Sequence, residues 1–216
     1  MRRYLPFVIV ALVALATFGS GFAFYRAQRA ALATGPKSGP ASGIHVRGKA
    51  DAPVTLEEFG DFQCPPCAMM AALLRKTEEE YGSRLRVIFH HFPLAAHAHA
   101  RAAALAAEAA EKQGRFWEMH DLLYKEQGIW SKVDNVPLLF DSYAGAIGLD
   151  LDRFKKDLQN PGVAARVDAD QKLGASRGVT STPTLFVNNV ALPPDALNPV
   201  GVKKAIDTAL KEKPKP

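Results

Sequence analysis

The sequence is poor in cysteine: Cys64 and Cys67 are the only two among 216 residues. A pair so closely spaced is a poor staple for a fold, because closing so small a loop removes little entropy from the unfolded chain. Long runs of like charge are also missing. The 27 Lys and Arg residues are scattered among 22 acids for a formal charge of +5, without interleaved aromatics. The chain therefore carries no footprint of nucleic-acid binding, and its basicity reads as solvated surface. No internal repeat appears, and the only biased tract is an Ala-rich one. At 48% hydrophobic residues, disorder of the whole chain is excluded. The length suits one domain with an embedded subdomain and an appendage.

The appendage is N-terminal. "MRRYLPFVIVALVALATFGSGFAFYRAQR" places Arg2 and Arg3 ahead of an uncharged run from Tyr4 to Tyr25. As a helix at ~1.5 Å per residue this run reaches about 33 Å, enough to cross the ~30 Å hydrocarbon core. A cleaved signal has a shorter apolar core of about 7 to 15 residues with a small-x-small site close behind. Here the tidy site, Ala31-Leu32-Ala33, lies beyond Arg26 and Arg29. Residues 1–26 are therefore expected to be an uncleaved single-pass anchor, the alternative being a signal whose removal releases a secreted form. Arg2 and Arg3 favour an inside N-terminus and send the remainder across the membrane. "ATGPKSGPASG" then makes residues 27–43 a flexible linker, and a folded domain is expected over 44–212.

Within that domain "APVTLEEFGDF" reads as a buried strand ending at Gly60, and Cys64 to Tyr81 as a helix with proline at its first positions, where the N–H groups lack intrahelical partners. "LRVIFHHFPL" is a second strand, giving a βαβ unit with a parallel pair. From Ala95 the texture is helical. "AAHAHARAAALAAEAAEKQG" runs to Gly114, and helical patterns follow at Phe116, Trp117, His120, Leu123 and Tyr124, then over 136–147, 150–159 and 163–173. Phe116, Trp117 and Tyr124 read as helical core. The expectation is an all-helical insertion at about 95–175. "GVTSTPTLFVNNVAL" gives a strand, an Asn188-Asn189 turn favouring positive φ and a return strand, and 200–210 forms a closing helix.

A lone CxxC can be a redox pair or half a metal site. One helical turn brings the two sulfurs together, and the positive end of the helix favours a thiolate on Cys64, the expected exposed nucleophile. Pro65 and Pro66 have no N–H, so the donors left are the backbones of Cys67 and Ala68. The Cys64 pKa is therefore expected below the free value of ~8.5 but above the ~3.5 of the strongest oxidant of this type. The histidines raise zinc. His90 and His91, neighbours on a strand, face opposite sides, and His97 and His99, two apart on a helix, point in different directions. No metal site is assigned.

The stretches "EEFGDFQCPPC", "VIFHHFPLAAHAHARAAALAAEAA" and "GVTSTPTLFVNN" together resemble the DsbA-like branch of the thioredoxin superfamily, over roughly 44–210. The resemblance implies an α/β thioredoxin-like fold interrupted by an all-helical subdomain, and thiol-disulfide exchange with extracytoplasmic proteins. It makes Cys64 the attacking cysteine and Cys67 its buried partner. It makes Pro183 the cis-proline facing the dithiol, with the Thr182 backbone free to pair with an extended substrate segment. Relatives carry a buried acid where Glu58 stands. Alternation along "VTLEEF" groups Glu58 with Val54 and Leu56, leaving Glu57 as the expected surface residue. Buried near the dithiol, Glu58 would have a raised pKa and could pass protons to or from Cys67.

The resulting expectation is a membrane-tethered protein disulfide oxidoreductase acting as an oxidase on the extracytoplasmic, periplasm-like side of a bacterial-type cell membrane. It needs no cofactor beyond its cysteines, but turnover requires a membrane redox partner such as a quinone-linked oxidase. The alternatives are a reductase or isomerase of the same fold, and a metal-binding module using the CxxC. No sequence motif reads out the direction of exchange, since a tenfold change in equilibrium constant is only about 30 mV.

Overall fold

The computed structural model describes residues 45–212, so the expected anchor and linker lie outside the described residues. Among the described residues no helix is long and apolar enough to cross a membrane. A five-stranded sheet has the order β1-β3-β2-β4-β5, with β1 at His45–Gly48, β2 at Val54–Gly60, β3 at Leu85–His91, β4 at Thr184–Val187 and β5 at Val190–Ala191. β2 and β3 are parallel, joined through helix α1, Pro65–Tyr81, and the remaining pairs are antiparallel. Asn188 and Asn189 make the β4–β5 turn with φ of 47° and 67°, a conformation that asparagine tolerates better than most residues.

Between β3 and β4 the chain is helical. α2 is Ala100–Glu111, α3 Phe116–Lys125, α4 Gln127–Trp130, α5 Val136–Ala146, α6 Leu151–Leu158 and α7 Pro161–Ser176. α8, Pro199–Lys211, closes the fold. Ala103, Ala106, Ala107, Ala109 and Ala110 of α2 are all fully buried, so the alanine tract serves close helix packing as well as propensity. α2 begins at Ala100, because residues 95–99 form a turn whose backbone is held elsewhere: Leu94 N donates to Asp61 and His99 N to Gln63. β1 went unread because four residues carrying a His and an Arg give no alternation to detect.

The sheet has two buried faces. On one, Val54, Leu56, Leu85, Val87 and Leu185 meet Met70 and Leu74 of α1 and Val202 and Ile206 of α8. On the other, Phe59, Phe186 and Val179 pack with Phe92 and Leu173 of α7. Glu57 lies on this second face and is not a surface residue; it is 8% exposed. Alternation placed it correctly opposite Glu58, but the sheet is covered on both sides, so the opposite face is also interior.

Burial of Glu57 is tolerated because it is paired. His90 Nε2 lies 3.1 Å from Glu57 and His90 Nδ1 3.1 Å from Asp170 of α7; Arg177 reaches Glu57 at 2.8 Å and Arg166 reaches Asp170 at 2.6 Å. Asp170 also accepts from the His91 backbone N–H at 3.0 Å. His90 stacks on Phe59 at 4.6 Å. The network fastens α7 to the sheet. Burial opposes the charge on His90, but the two carboxylates outweigh it and raise its pKa; those of Glu57 and Asp170 are lowered, against their own desolvation, by hydrogen bonds with His90.

The sign of the pH dependence follows. The His90 contribution is complete below its unfolded value of 6.5 and fades as pH rises through the raised folded value. The carboxylate contributions are complete above the unfolded values, 4.5 for Glu57 and 3.8 for Asp170, and fade as pH falls below these through the lowered folded values. Denaturation of His90→Gln should therefore show its largest loss against the parent near about pH 5.5 and a smaller one near about pH 8.5. Asp170→Ala, which takes from buried His90 one of its two carboxylates and from the His91 N–H its acceptor, should cost about 3–5 kcal/mol.

Candidate functional site: a buried dithiol at a strand-to-helix junction

β2 ends at Gly60, and α1 starts five residues later with Cys64 as its N-cap residue and Pro65 and Pro66 opening the helix. A side chain at position 60 would collide, since a Cβ there would lie 2.5 Å from Phe89 and 2.8 Å from the Tyr124 hydroxyl. The intervening turn is held by Asp61, 1% exposed. Its carboxylate accepts from Gln63 N at 2.7 Å, Leu94 N at 2.9 Å and His97 Nδ1 at 2.7 Å, and its carbonyl accepts from Cys64 N at 3.1 Å. From the helical insertion, Gln127 Nε2 donates to Phe62 O at 2.7 Å and Cys64 O at 2.9 Å.

Both cysteines are free thiols; Cys64 keeps 5% exposure and Cys67 none. Cys64 is thus more enclosed than an exposed nucleophile, because Thr182 lies against it: its Sγ donates to Thr182 O at 3.4 Å. The Thr182–Pro183 peptide is cis. The backbone N–H groups of Cys67 and Ala68, expected as the donors left for the sulfur, return to Cys64 O at 3.0 and 3.3 Å, and Pro65 and Pro66 have no N–H to offer in their place.

The two thiols differ in acidity. A hydrogen bond from the Cys67 thiol lowers the Cys64 pKa to about 6 against partial desolvation, with further help from the Thr182 side chain and the Cys67 backbone. The Thr182 hydroxyl is buried with no hydrogen-bond partner among the described residues, which leaves it available to a thiolate. Burial pushes the Cys67 thiol far up, and its bond to Cys64 and the nearby Glu58 add to this. One sulfur is thus a thiolate at neutral pH and the other a thiol that supports it.

Glu58, 2% exposed, lies on the α1 face of β2. Burial, then the charges of Cys64 and Glu78, raise its pKa to about 8, and its Oε1 has no partner among the described residues. The Tyr124 hydroxyl is likewise buried and unpartnered. Its pKa is raised by burial and by the charges of Cys67 and Glu58. Cys64, Cys67, Thr182, Pro183 and Glu58 therefore converge. Asp61 and Gln127 carry no expected role in the sequence reading, and Tyr124 reads there as helical core; an Asp three residues before a CxxC is the only local signal, and for Gln127 and a site role of Tyr124 there is none.

The histidines do not join the dithiol. His90 and His91 do face opposite sides, toward Asp170 and Glu108. The grouping with metal-ligand character among the described residues is His45, His91 and Glu108, with donor atoms within 4.8 Å of one another, and it contains neither cysteine. Its donor set suits zinc. Glu108 Oε1 already bridges His45 Nε2 at 2.6 Å and His91 Nε2 at 2.9 Å, and these bonds hold the carboxylate without an ion. They tie β1 and β3 to α2.

A family model described as Thioredoxin matches residues 41–208. BdbD from Bacillus subtilis, in its oxidised form, is 28% identical and superposes with a TM-score of 0.70 over 79% of this chain and 94% of that one. Wolbachia pipientis alpha-DsbA1 (21% identity, TM-score 0.66, 80% and 95% coverage) and the catalytic domain of Proteus mirabilis ScsC (20%, 0.67, 80% and 92%) share the fold. Among curated proteins, Na(+)/H(+) antiporter NhaA 1 of Salinispora arenicola is 42% identical over 145 residues, which is 67% of this chain and 21% of that protein. The chain thus spans about a fifth of the length of the curated relatives it matches. The matched family model, together with the inserted helices and the paired thiols beside a cis-proline, leads to one conclusion: this chain belongs to the thioredoxin family.

Proposed function

We propose that this chain is an extracytoplasmic thiol-disulfide oxidoreductase that acts as an oxidase on protein thiols through Cys64 and Cys67. The observation that carries the reading is the asymmetry of the dithiol, with Cys64 lowered to about 6 and Cys67 raised beside it. A substrate thiolate attacks the Cys64 sulfur of the Cys64–Cys67 disulfide, a mixed disulfide forms through Cys64, and the Cys67 sulfur leaves and is protonated. A second substrate thiolate attacks the substrate sulfur and leaves Cys64 as a thiolate. A thiolate stabilised in the reduced protein makes the disulfide more oxidising. A value of about 6 stays above the ~3.5 of the strongest such oxidant, so the protein is a milder one.

The Thr182 backbone beside cis-Pro183 offers an edge for an extended substrate segment. The apolar run from Tyr4 to Tyr25 supports a single-pass anchor over residues 1–26, a linker over 27–43 and a catalytic domain held outside the membrane, where a membrane redox partner reoxidises the dithiol. The reductase or isomerase reading uses the same residues and differs in potential alone.

Three measurements test this reading. Glutathione redox titration of the full chain should give a potential above about −180 mV; a value near about −270 mV would place it with the reductases. Thiolate absorbance of the reduced protein should titrate near 6 for Cys64, and Cys67→Ala should move that value up toward ~8.5, because the Cys67 hydrogen bond is the largest cause of the depression. An unchanged titration in that variant would remove the dithiol asymmetry as the source of reactivity.

Glu58 supplies the third. Its folded pKa is raised from 4.5 to about 8, so its burden on the fold is absent below the unfolded value and grows as pH rises between the two. Glu58→Gln, an isostere of the protonated form, should match the parent near about pH 4 and exceed its unfolding free energy by on the order of 2–3 kcal/mol near about pH 7. Equal pH dependence in the two proteins would contradict a buried, titrating Glu58.

A further inference from the structure

Glu58 and His120 are each buried, at 2% and 4% exposure, and each holds one polar atom, Glu58 Oε1 and His120 Nε2, that has no partner among the described residues. Both line the same small cavity, together with Arg47, Arg75, Glu78 and Trp117. Its volume is about 10 Å³ of room for the centre of a water molecule, the space of one water. A buried polar atom without a partner is costly, and two that share a water-sized space with complementary chemistry have one economical solution.

That complementarity is set by the other ends of the two side chains. His120 Nδ1 lies 2.8 Å from Asp121 Oδ1, and the Asp121 carboxylate also accepts both of its 2.9 Å bonds from Arg47. Asp121 accepts only, so Nδ1 carries the proton and Nε2 is a bare acceptor on a side chain that lines the cavity. Burial keeps the imidazole neutral, lowering its pKa to about 4 against the pull of Asp121 and with Arg47 and His91 contributing. Glu58 is the donor, its carboxyl facing the charges of Cys64 and Glu78 and sharing its surroundings with Cys67 and Tyr124. The Asp121 side chain is 39% exposed, so the chain of groups ends at solvent.

We propose that a single water in this cavity joins Glu58 to His120, and that His120 and Asp121 are the route by which protons pass between Glu58 and solvent. This deepens the oxidoreductase reading and rests on it. The carboxyl proton of Glu58 goes to the water, the water gives a proton to His120 Nε2, and the Nδ1 proton leaves through Asp121. The carboxylate so formed takes the proton of the Cys67 thiol. The Cys67 sulfur then attacks the Cys64 sulfur of a mixed disulfide, the Cys64–Cys67 bond forms, and the partner sulfur leaves as a thiolate. The balance is one proton from Cys67 to solvent for one thiolate expelled, and the reverse passage uses the same hydrogen bonds. His120 and Asp121 touch no substrate; they act through Glu58.

The test is reaction of the reduced full chain with a chromophoric aromatic disulfide, which releases one aromatic thiolate when Cys64 attacks and a second when Cys67 resolves the mixed disulfide. His120→Gln keeps a polar contact to Asp121 but cannot relay a proton. It should slow the second release by about tenfold or more and leave the first unchanged. The loss in His120→Gly should be reversed by added imidazole. Equal second-release rates in parent and His120→Gln, or no response to imidazole, would overturn the route. Should these variants fail to fold, the parent decides. In heavy water the infrared carbonyl band of protonated Glu58, assigned with Glu58→Gln, should shift far sooner than protected amides exchange. A band that shifts only with global unfolding sinks the proposal. A parent that releases neither thiolate removes the oxidoreductase reading instead, and the infrared result still stands on its own.

Discussion

The Asp61 carboxylate is the constraint on which the rest of the site depends. It gathers the exit of β2 through Gln63 N, the exit of β3 through Leu94 N and the approach to α2 through His97. The first segment is distant in sequence from the other two, which follow one another after β3, and each has backbone or side-chain donors that would otherwise be buried without a partner. One carboxylate with several acceptor positions satisfies them together. Because Asp61 O also receives Cys64 N, the same residue fixes where the helix begins and so where the first sulfur sits. Charge-assisted bonds of 2.7 to 2.9 Å leave little slack in that position.

With the junction fixed, the chemistry follows from unequal burial. Cys67 sits one helical turn inside the protein, in a core built from Phe62, Ala71, Phe89 and the insertion helices. A charge there would be poorly solvated, so the proton stays on Cys67 and is offered to Cys64. The two prolines sharpen this division, since the helix N-terminus they open presents fewer donors to the outer sulfur. The thiolate is consequently stabilised more by its partner thiol than by the helix, and a disulfide removes that partner along with the thiolate. Burial of Glu58 belongs to the same logic: a proton held at high affinity behind Cys67 supplies the sulfur that must lose or gain one.

Much of this was legible in the sequence, for reasons that particular residues make plain. Strand β2 and helix α1 could be placed because Val54 to Gly60 and the stretch after Pro65 carry their own periodicity and punctuation. Alternation puts Glu58 and Glu57 on opposite sides of the strand, but it does not tell that the Glu57 side is covered as well. The burial of Glu57 depends on His90, Arg177 and Asp170, partners up to 120 residues away, and no local pattern announces a covered second face. The His pairs were separated from the cysteines by simple geometry, but the partner of His91, Glu108, lies inside an alanine tract where a lone acid reads as the solvated face of a helix.

What the sequence hid most completely is the contribution of the helical insertion to the dithiol. Gln127, His120 and Tyr124 read as ordinary members of amphipathic helices, and each turns a polar atom inward onto the junction or behind it. An insertion that merely covered the sheet would present apolar side chains at these positions, because a buried polar atom without a protein partner is destabilising. Gln127 is matched by two carbonyls of the active-site turn, so the turn and α4 cannot separate without stranding them. Tyr124 requires Gly60, and Gly60 ends the strand that carries Glu58. The insertion is therefore part of the site, setting the position and the surroundings of groups that the strand and helix alone could supply but could not hold in place.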